Sequence, residues 1–266
     1  MRRRQRSSVI VLKSADEIAR MREAGRVVAR VLAAMAAHVA PGVRTCEFDA
    51  VAREVIFAAG AKPSFLNLPS PTEGVAPFPA AVVVSVNEQV VHGVPGERVL
   101  GNGDLVSLDS TCIWKGYHAD AAITVPVGKI APEAEKLMLA ARDALAAGIQ
   151  AVRPGAWLWD VIGIIQDYIE SRGYGIVREY QGHGIGRAMH EEPSVPNYLD
   201  DRAPPNVRLQ AGMTMALEPM ITAGDWHTKT LADGWTVATT DGSLAAHFEH
   251  TLAVTAGGVE ILTQAA

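Results

Sequence analysis

Four carboxylates stand where an apolar sequence has little ordinary use for them. Asp109 closes LVSLD, Asp120 opens DAAITV, Glu218 sits inside MTMALEPMI and Glu249 inside HFEHTLAV. Burying an ionised carboxylate without a partner is costly and drives it toward its protonated form. Any one of these acids, taken alone, also reads as a strand-end group that faces solvent or an arginine. Taken together they allow a second solution. Two divalent cations balance four negative charges, and carboxylates can bridge two ions at the roughly 3.5–4 Å separation that two-metal hydrolytic sites use. One imidazole would complete the set, and His183 in GHGIG is the candidate. Glycine on either side lets backbone approach closely and present the ring into a crowded site. The plainer reading of GHGIG is a glycine turn with an exposed histidine. It is not a dinucleotide fingerprint, because no strand–turn–helix setting surrounds it. A mixed oxygen and nitrogen donor set suits Mn, Fe or Co, and Zn in a catalytic rather than structural role.

Such residues need rigid elements to hold them. Ser14 and Glu17 form a capping-box pattern. Ile18, Met21, Gly25, Val28, Leu32 and Met35 then recur every three or four residues, which predicts a helix ended by Pro41-Gly42. A second helix is predicted from about Glu47 to Ala59, before Gly60. The pattern recurs: a helix from Pro132 to about Val152 ends at Pro154-Gly155, and another runs from about Trp159 to Ser171, before Gly173. Gly42 and Gly155 are 113 residues apart and each pair of glycines is 18 residues apart, the signature of an internal duplication. Strand-like runs follow each helix pair: Ala81–Val86, Leu105–Asp109 and Ala119–Val125, then Ile176–Tyr180, Met213–Met220, Trp235–Thr239 and Phe248–Val254. Uniformly apolar runs among them predict a sheet covered by helices. Leu66–Pro79 reads as a long proline-rich loop, a kind that is often functional.

The bulk numbers set limits. The chain has 266 residues, 48% hydrophobic, with a net charge of −5. That length builds a sizeable core, and the acidic balance argues against an extended nucleic-acid-binding face. Cys46 and Cys112 are too few for a disulfide framework and are expected as buried small hydrophobes. Residues 1–13 read as a basic tail with Arg2, Arg3, Arg4 and Arg6. No signal-peptide apolar stretch follows them, and no run approaches the roughly 18 apolar residues of a membrane helix. The expected setting is the cytoplasm.

The stretches that carry these residues are similar to a known family. SVNEQVVHGVP around His92, LVSLDSTCIWKGYHAD with Asp109 and Asp120, GHGIGRAMHEEP with His183 and His190, MALEPM at Glu218, DGWTV at Trp235 and HFEHT at Glu249 resemble the methionine aminopeptidases, more closely their type I group. The likeness runs from about Ser14 to Thr263. It implies an α/β (α+β) pita-bread fold: two pseudo-symmetric halves, about 14–126 and 127–263, around a curved antiparallel sheet covered by helices, in a single catalytic domain of residues 14–266. It implies two divalent metal ions (Co, Mn, Fe or Zn) held by Asp109, Asp120, His183, Glu218 and Glu249, with Asp120 and Glu249 bridging. It implies that His92 and His190 contact the substrate amide and the tetrahedral intermediate, and that Glu218 serves as general base in some accounts. His118, His247 and His250 adjoin ligands but stay outside the implied ligand set. The implied activity is removal of the N-terminal initiator methionine from nascent proteins and peptides, with a small second residue preferred, through a dinuclear metal-activated hydroxide. The net charge and the lack of a long apolar run point away from DNA and membrane partners, and a monomer is expected. Ribosome contact through Arg2–Arg6 is one reading of the tail, and a solvated tail is the other.

The chain departs from the family at the methionine side-chain pocket. The stretch FLNLPSPTEGVAPFPAAVVVSV is longer than usual and lacks the usual tyrosines and histidine. Phe78 stands in place of one tyrosine, Val83 of a cysteine, and Met189 of a phenylalanine. Phe65, Phe78, Met189 and Trp235 are the residues expected to form an apolar, sulfur-tolerant pocket there. Strict methionine preference therefore stays open, as does a specialised paralogue. Within the fold, the alternative is a proline dipeptidase or aminopeptidase P relative, which usually adds an N-terminal domain for which the helix starting at Ser14 leaves no room. Type II methionine enzymes carry an insert that the 35 residues from His183 to Glu218 do not accommodate. A binding-only pseudoenzyme would normally have lost ligands that this chain keeps.

Overall fold

The computed structural model describes residues 9–201 and 203–264. Chain order is α1 (Ala15–His38), α2 (Thr45–Ala58), β1 (Lys62–Pro63), β2 (Val83–Val86), β3 (Gln89–Val91), β4 (Leu105–Trp114), β5 (Tyr117–Pro126), α3 (Pro132–Ala151) and α4 (Leu158–Glu170). Ten short strands follow: β6 (Gly175–Ile176), β7 (Gly182–Gly184), β8 (Glu191–Val195), β9 (Thr214–Leu217), β10 (Met220–Thr222), β11 (Thr228–Thr230), β12 (Val237–Thr239), β13 (Ala245–His247), β14 (Glu249–Thr255) and β15 (Gly258–Ile261). None of the described helices is long and apolar enough to cross a membrane.

The capping box forms as the sequence predicts: Glu17 N–H donates to Ser14 Oγ and Ser14 N–H to Glu17 Oε2. The two helix pairs are built alike. Each Pro-Gly turn puts its glycine in the left-handed region, φ 94° at Gly42 and 85° at Gly155, where a side chain would be strained. Gly42 N–H then donates to Leu100 O, and Gly155 N–H to Leu209 O, each at 2.8 Å. Each half also buries its own apolar cluster. Val28, Leu32, Met35, Phe48 and Ile56 pack on Val84, Val106, Leu108 and Ala121. Leu137, Ala141, Leu145, Ile162 and Ile165 pack on Met215, Leu217, Leu252 and Val254.

A nine-stranded sheet joins the halves in the order β1-β4-β5-β14-β9-β7-β8, with β2 also on β4 and β15 on β14. All its pairings are antiparallel. The seam between halves is β5 against β14, where Glu249 pairs with Ala122 and His250 with Ala121.

Several strands are shorter than their apolar runs suggest. Met213–Met220 splits into β9 and β10 at Glu218-Pro219, since proline has no N–H for the ladder. Trp235–Thr239 shrinks to β12 because the N–H groups of Trp235 and Thr236 bond to Asp233 Oδ1 instead. Ala81 N–H is taken by Asp49 Oδ1, so β2 begins at Val83. Ile176–Tyr180 leaves only β6. Cys112 is buried as expected, whereas Cys46 is only half-buried. The tail boundary at residue 13 also falls inside packed chain. Lys13 is buried, with its ammonium 2.5 Å from Glu191 Oε2, and its N–H donates to Gly212 O. Residues 1–8, with all four tail arginines, lie outside the described residues.

Candidate metal centre and adjoining pocket

The five proposed ligands come from five neighbouring places on one sheet. In the ladder, Ala122 of β5 pairs with both Asp109 of β4 and Glu249 of β14, so these three side chains share a face. Asp120, two residues along β5, shares it too. His183 of β7 pairs with Ala216 of β9, and Glu218 follows two residues later on that face. Thr251 fixes the seam, accepting from Asp120 N–H at 2.8 Å and donating to Asp120 O at 2.7 Å. The glycines beside His183 are required by close backbone approach. A Cβ on Gly182 would lie 2.4 Å from Ala216 O, and one on Gly184 would lie 2.1 Å from Glu192 O.

The charges are poorly compensated by protein. Asp109, Asp120, Glu218 and Glu249 are all buried. Burial, reinforced by neighbouring acids, holds the carboxyls of Asp109, Glu218 and Glu249 well above the ordinary range. Burial pushes Asp120 up to about 7. Asp109 Oδ1, Asp120 Oδ1 and Glu249 Oε1 are buried with no hydrogen-bond partner among the described residues. Four acids sharing one buried space with orphaned oxygens is an arrangement that divalent cations satisfy and protein alone does not. Ligand atoms of Asp120, His183 and Glu249 lie within 4.8 Å of one another, as do those of Glu218, His247 and Glu249. His183 is prepared to donate a nitrogen lone pair. Its Nδ1 is 2.9 Å from Gly184 O, which fixes that nitrogen as the N–H and leaves Nε2 free, 3.7 Å from Glu218 Oε1. Burial lowers its pKa to about 4, so the ring is neutral.

His92 and His190 line the same cavity of about 270 Å³ as the ligands. His190 stands edge-on to His183 with ring centroids 4.4 Å apart. Its neighbour Glu191 is tied to Lys13 and to the Ala188 N–H. His92 sits at φ 58°, a left-handed conformation that costs a non-glycine residue roughly 1–3 kcal/mol. Gly93 follows, and a Cβ there would lie 2.2 Å from Val84 O. Burial lowers the His92 pKa to about 4 and lowers that of His190, so both rings are neutral N–H donors.

A second cavity, of about 360 Å³, opens beside the first and shares Phe65, His92, Tyr180 and His190 with it. Phe65, Phe78, Val83 and Met189 form one buried apolar cluster with Trp235 packed against it. All four residues named from the sequence for this pocket meet there. Leu68, Pro69, Pro71 and Thr72 add a wall from the proline-rich loop. That loop is tied across to the other half: Trp235 Nε1–H donates to Ala76 O at 2.9 Å, and Val75 methyl groups crowd Gly234. The sequence already set this loop at the pocket, but its attachment through Trp235 and Ala76 was not visible there. Tyr180, which lines both cavities edge-on to His92, and His247, beside Glu218 and Glu249, also lie outside the site residues expected from the sequence.

The model of metallopeptidase family M24 matches residues 19–256. The chain is 44% identical over 258 residues to methionine aminopeptidase 1 of Bacillus subtilis, covering 96% of this chain and 100% of that one. It is 45% identical to the methionine aminopeptidase of Aquifex aeolicus, covering 96% and 99%. The chain belongs to the methionine aminopeptidases of family M24. The methionine aminopeptidase structure from Thermotoga maritima superposes with a TM-score of 0.90 at 39% identity, over 96% of this chain and all of that one. The pita-bread fold extends further: a prolidase from Pyrococcus furiosus matches with a TM-score of 0.75 at 20% identity, and this chain covers 66% of its length. The family makes this chain a metallopeptidase that acts as an aminopeptidase.

Proposed function

We propose that this chain removes N-terminal methionine from nascent proteins and peptides, with a small second residue preferred, using two divalent ions among Co, Mn, Fe and Zn. The observation that carries this reading is the juxtaposition of orphaned, buried carboxylates with an apolar pocket across His92 and His190. Asp109, Asp120, His183, Glu218 and Glu249 would hold the ions. When bound, such ions lower the pKa of water and polarise a carbonyl. The protein's own groups do the rest. Phe65, Phe78, Met189 and Trp235 seat an unbranched thioether side chain, for which flexible, polarizable sulfur suits aromatic walls. His92 and His190, being neutral, each offer an N–H to the substrate amide and to the carbonyl oxygen as it gains negative charge. Glu218 holds or accepts a proton at its carboxylate. The small catalytic cavity leaves little room for a bulky second residue. The proposed setting is the cytoplasm, with the chain monomeric; removing residues 1–7 and measuring co-sedimentation tests ribosome contact, which unchanged binding would reject.

The reading is tested with EDTA-stripped protein offered Met-Ala-Ser, Leu-Ala-Ser and Ala-Pro-Ala, followed by Co, Mn, Fe or Zn. Metal-dependent release of methionine alone is the expected result. Cleavage of another substrate, or of none with any metal, would move the chain to a divergent peptidase or a binding protein on the same fold.

A further inference from the structure

Three histidines adjoin the ligand residues in sequence, and the structure separates them. His118 Nδ1 meets Ser64 Oγ at 3.0 Å, and His250 Nδ1 meets Thr263 Oγ1 at 2.9 Å. His247 is different. It is 1% exposed, and its Nε2 is buried with no hydrogen-bond partner among the described residues. Its backbone cannot carry the ring elsewhere. The His247 N–H donates to Thr124 Oγ1, that hydroxyl donates back to His247 O, and His247 pairs with Met220 in the β10–β13 ladder.

What Nε2 faces decides its use. It lies 3.8 Å from Glu218 Oε2 and 4.0 Å from Glu249 Oε2. Both distances exceed the roughly 3.2 Å limit of an N–H···O bond, so neither carboxylate satisfies the ring. Both are shorter than twice the roughly 2.0–2.2 Å bond from a metal ion to nitrogen or carboxylate oxygen. One cation can therefore reach all three atoms, and a buried imidazole nitrogen with no other partner gains one. Glu218 stands between two imidazoles, with Oε1 toward His183 and Oε2 toward His247.

We propose that His247 is a sixth protein ligand, giving its Nε2 to a cation held by Glu218 and Glu249. The inference rests on the metal-dependent reading above and adds a donor to it. Exchanging an oxygen or water donor for imidazole biases the site toward nitrogen-preferring ions such as zinc over manganese.

The test needs no turnover. The full chain, labelled with 15N-histidine and loaded with 113Cd, is expected to show two imidazole nitrogens coupled to cadmium. One of them should vanish in His247→Gln and neither in His250→Gln. Zinc affinity, measured by chelator competition, should fall at least about tenfold in His247→Gln. Coupling from one imidazole only in the unmutated chain, with cadmium bound, overturns the assignment whatever the variant does. Absence of any cadmium binding would overturn the metal reading itself.

Discussion

The ligand wall and the side-chain pocket touch at His92 and His190 yet are made in opposite ways. Four of the five proposed ligands sit on strands whose register is fixed by paired ladders, so Asp109, Asp120 and Glu249 have little freedom to separate. The pocket is enclosed by a proline-rich loop and the turn before β12, joined by the Trp235 indole hydrogen bond to Ala76 O, the Phe78–Trp235 ring contact and the Val75 methyl groups beside Gly234. On the proposed function, chemistry lies on the rigid part and substrate choice on the part that can be altered cheaply.

This contrast can be broken from either side. Glu218→Gln should abolish metal-dependent turnover while the apolar pocket stays intact; wild-type-like activity would refute the assignment. His190→Ala should lower kcat by about 10²–10³, the usual loss of one oxyanion donor, with metal content unchanged by atomic absorption. Trp235→Phe keeps the ring but frees the loop. The ratio of kcat/KM for Met-Ala-Ser over Leu-Ala-Ser should then fall by up to about tenfold, the size of one hydrogen bond, and an equal loss for both substrates would mean the loop only supports the fold. The smallest effect concerns protons. In metal-free protein the Asp120 carboxyl is held at about 7 against an ordinary 3.8, so the folded state keeps a proton that the unfolded chain releases. Its contribution to stability is therefore complete below about pH 4 and lost as pH rises through about 7. Cations take the proton's place, so the Tm gain on adding zinc should be larger at pH 8 than at pH 5.5, read by differential scanning fluorimetry.

The ligand acids were legible because a lone carboxylate inside an apolar strand is a physical anomaly that composition cannot hide. The helix pairs were legible because Pro-Gly turns recur at a fixed interval. His247 left a weaker trace: it stands two residues before Glu249, the spacing that shares a strand face, whereas His250 stands one after it, and the buried His247 ring does turn toward Glu218 and Glu249. One feature left none. The bond from Trp235 to Ala76 spans 159 residues and needs no particular side chain at its acceptor. Backbone acceptors leave no trace in a residue string.

The seam at Ala122 gives the centre its room. This residue pairs with Asp109 on one side and Glu249 on the other and contributes a single methyl between them. Opposed carboxylates in a sheet would ordinarily be kept apart by the bulk of the side chain that separates them. Here the smallest chiral spacer stands between the two acids, so their shared face is shaped by a short side chain as much as by the acids that rim it.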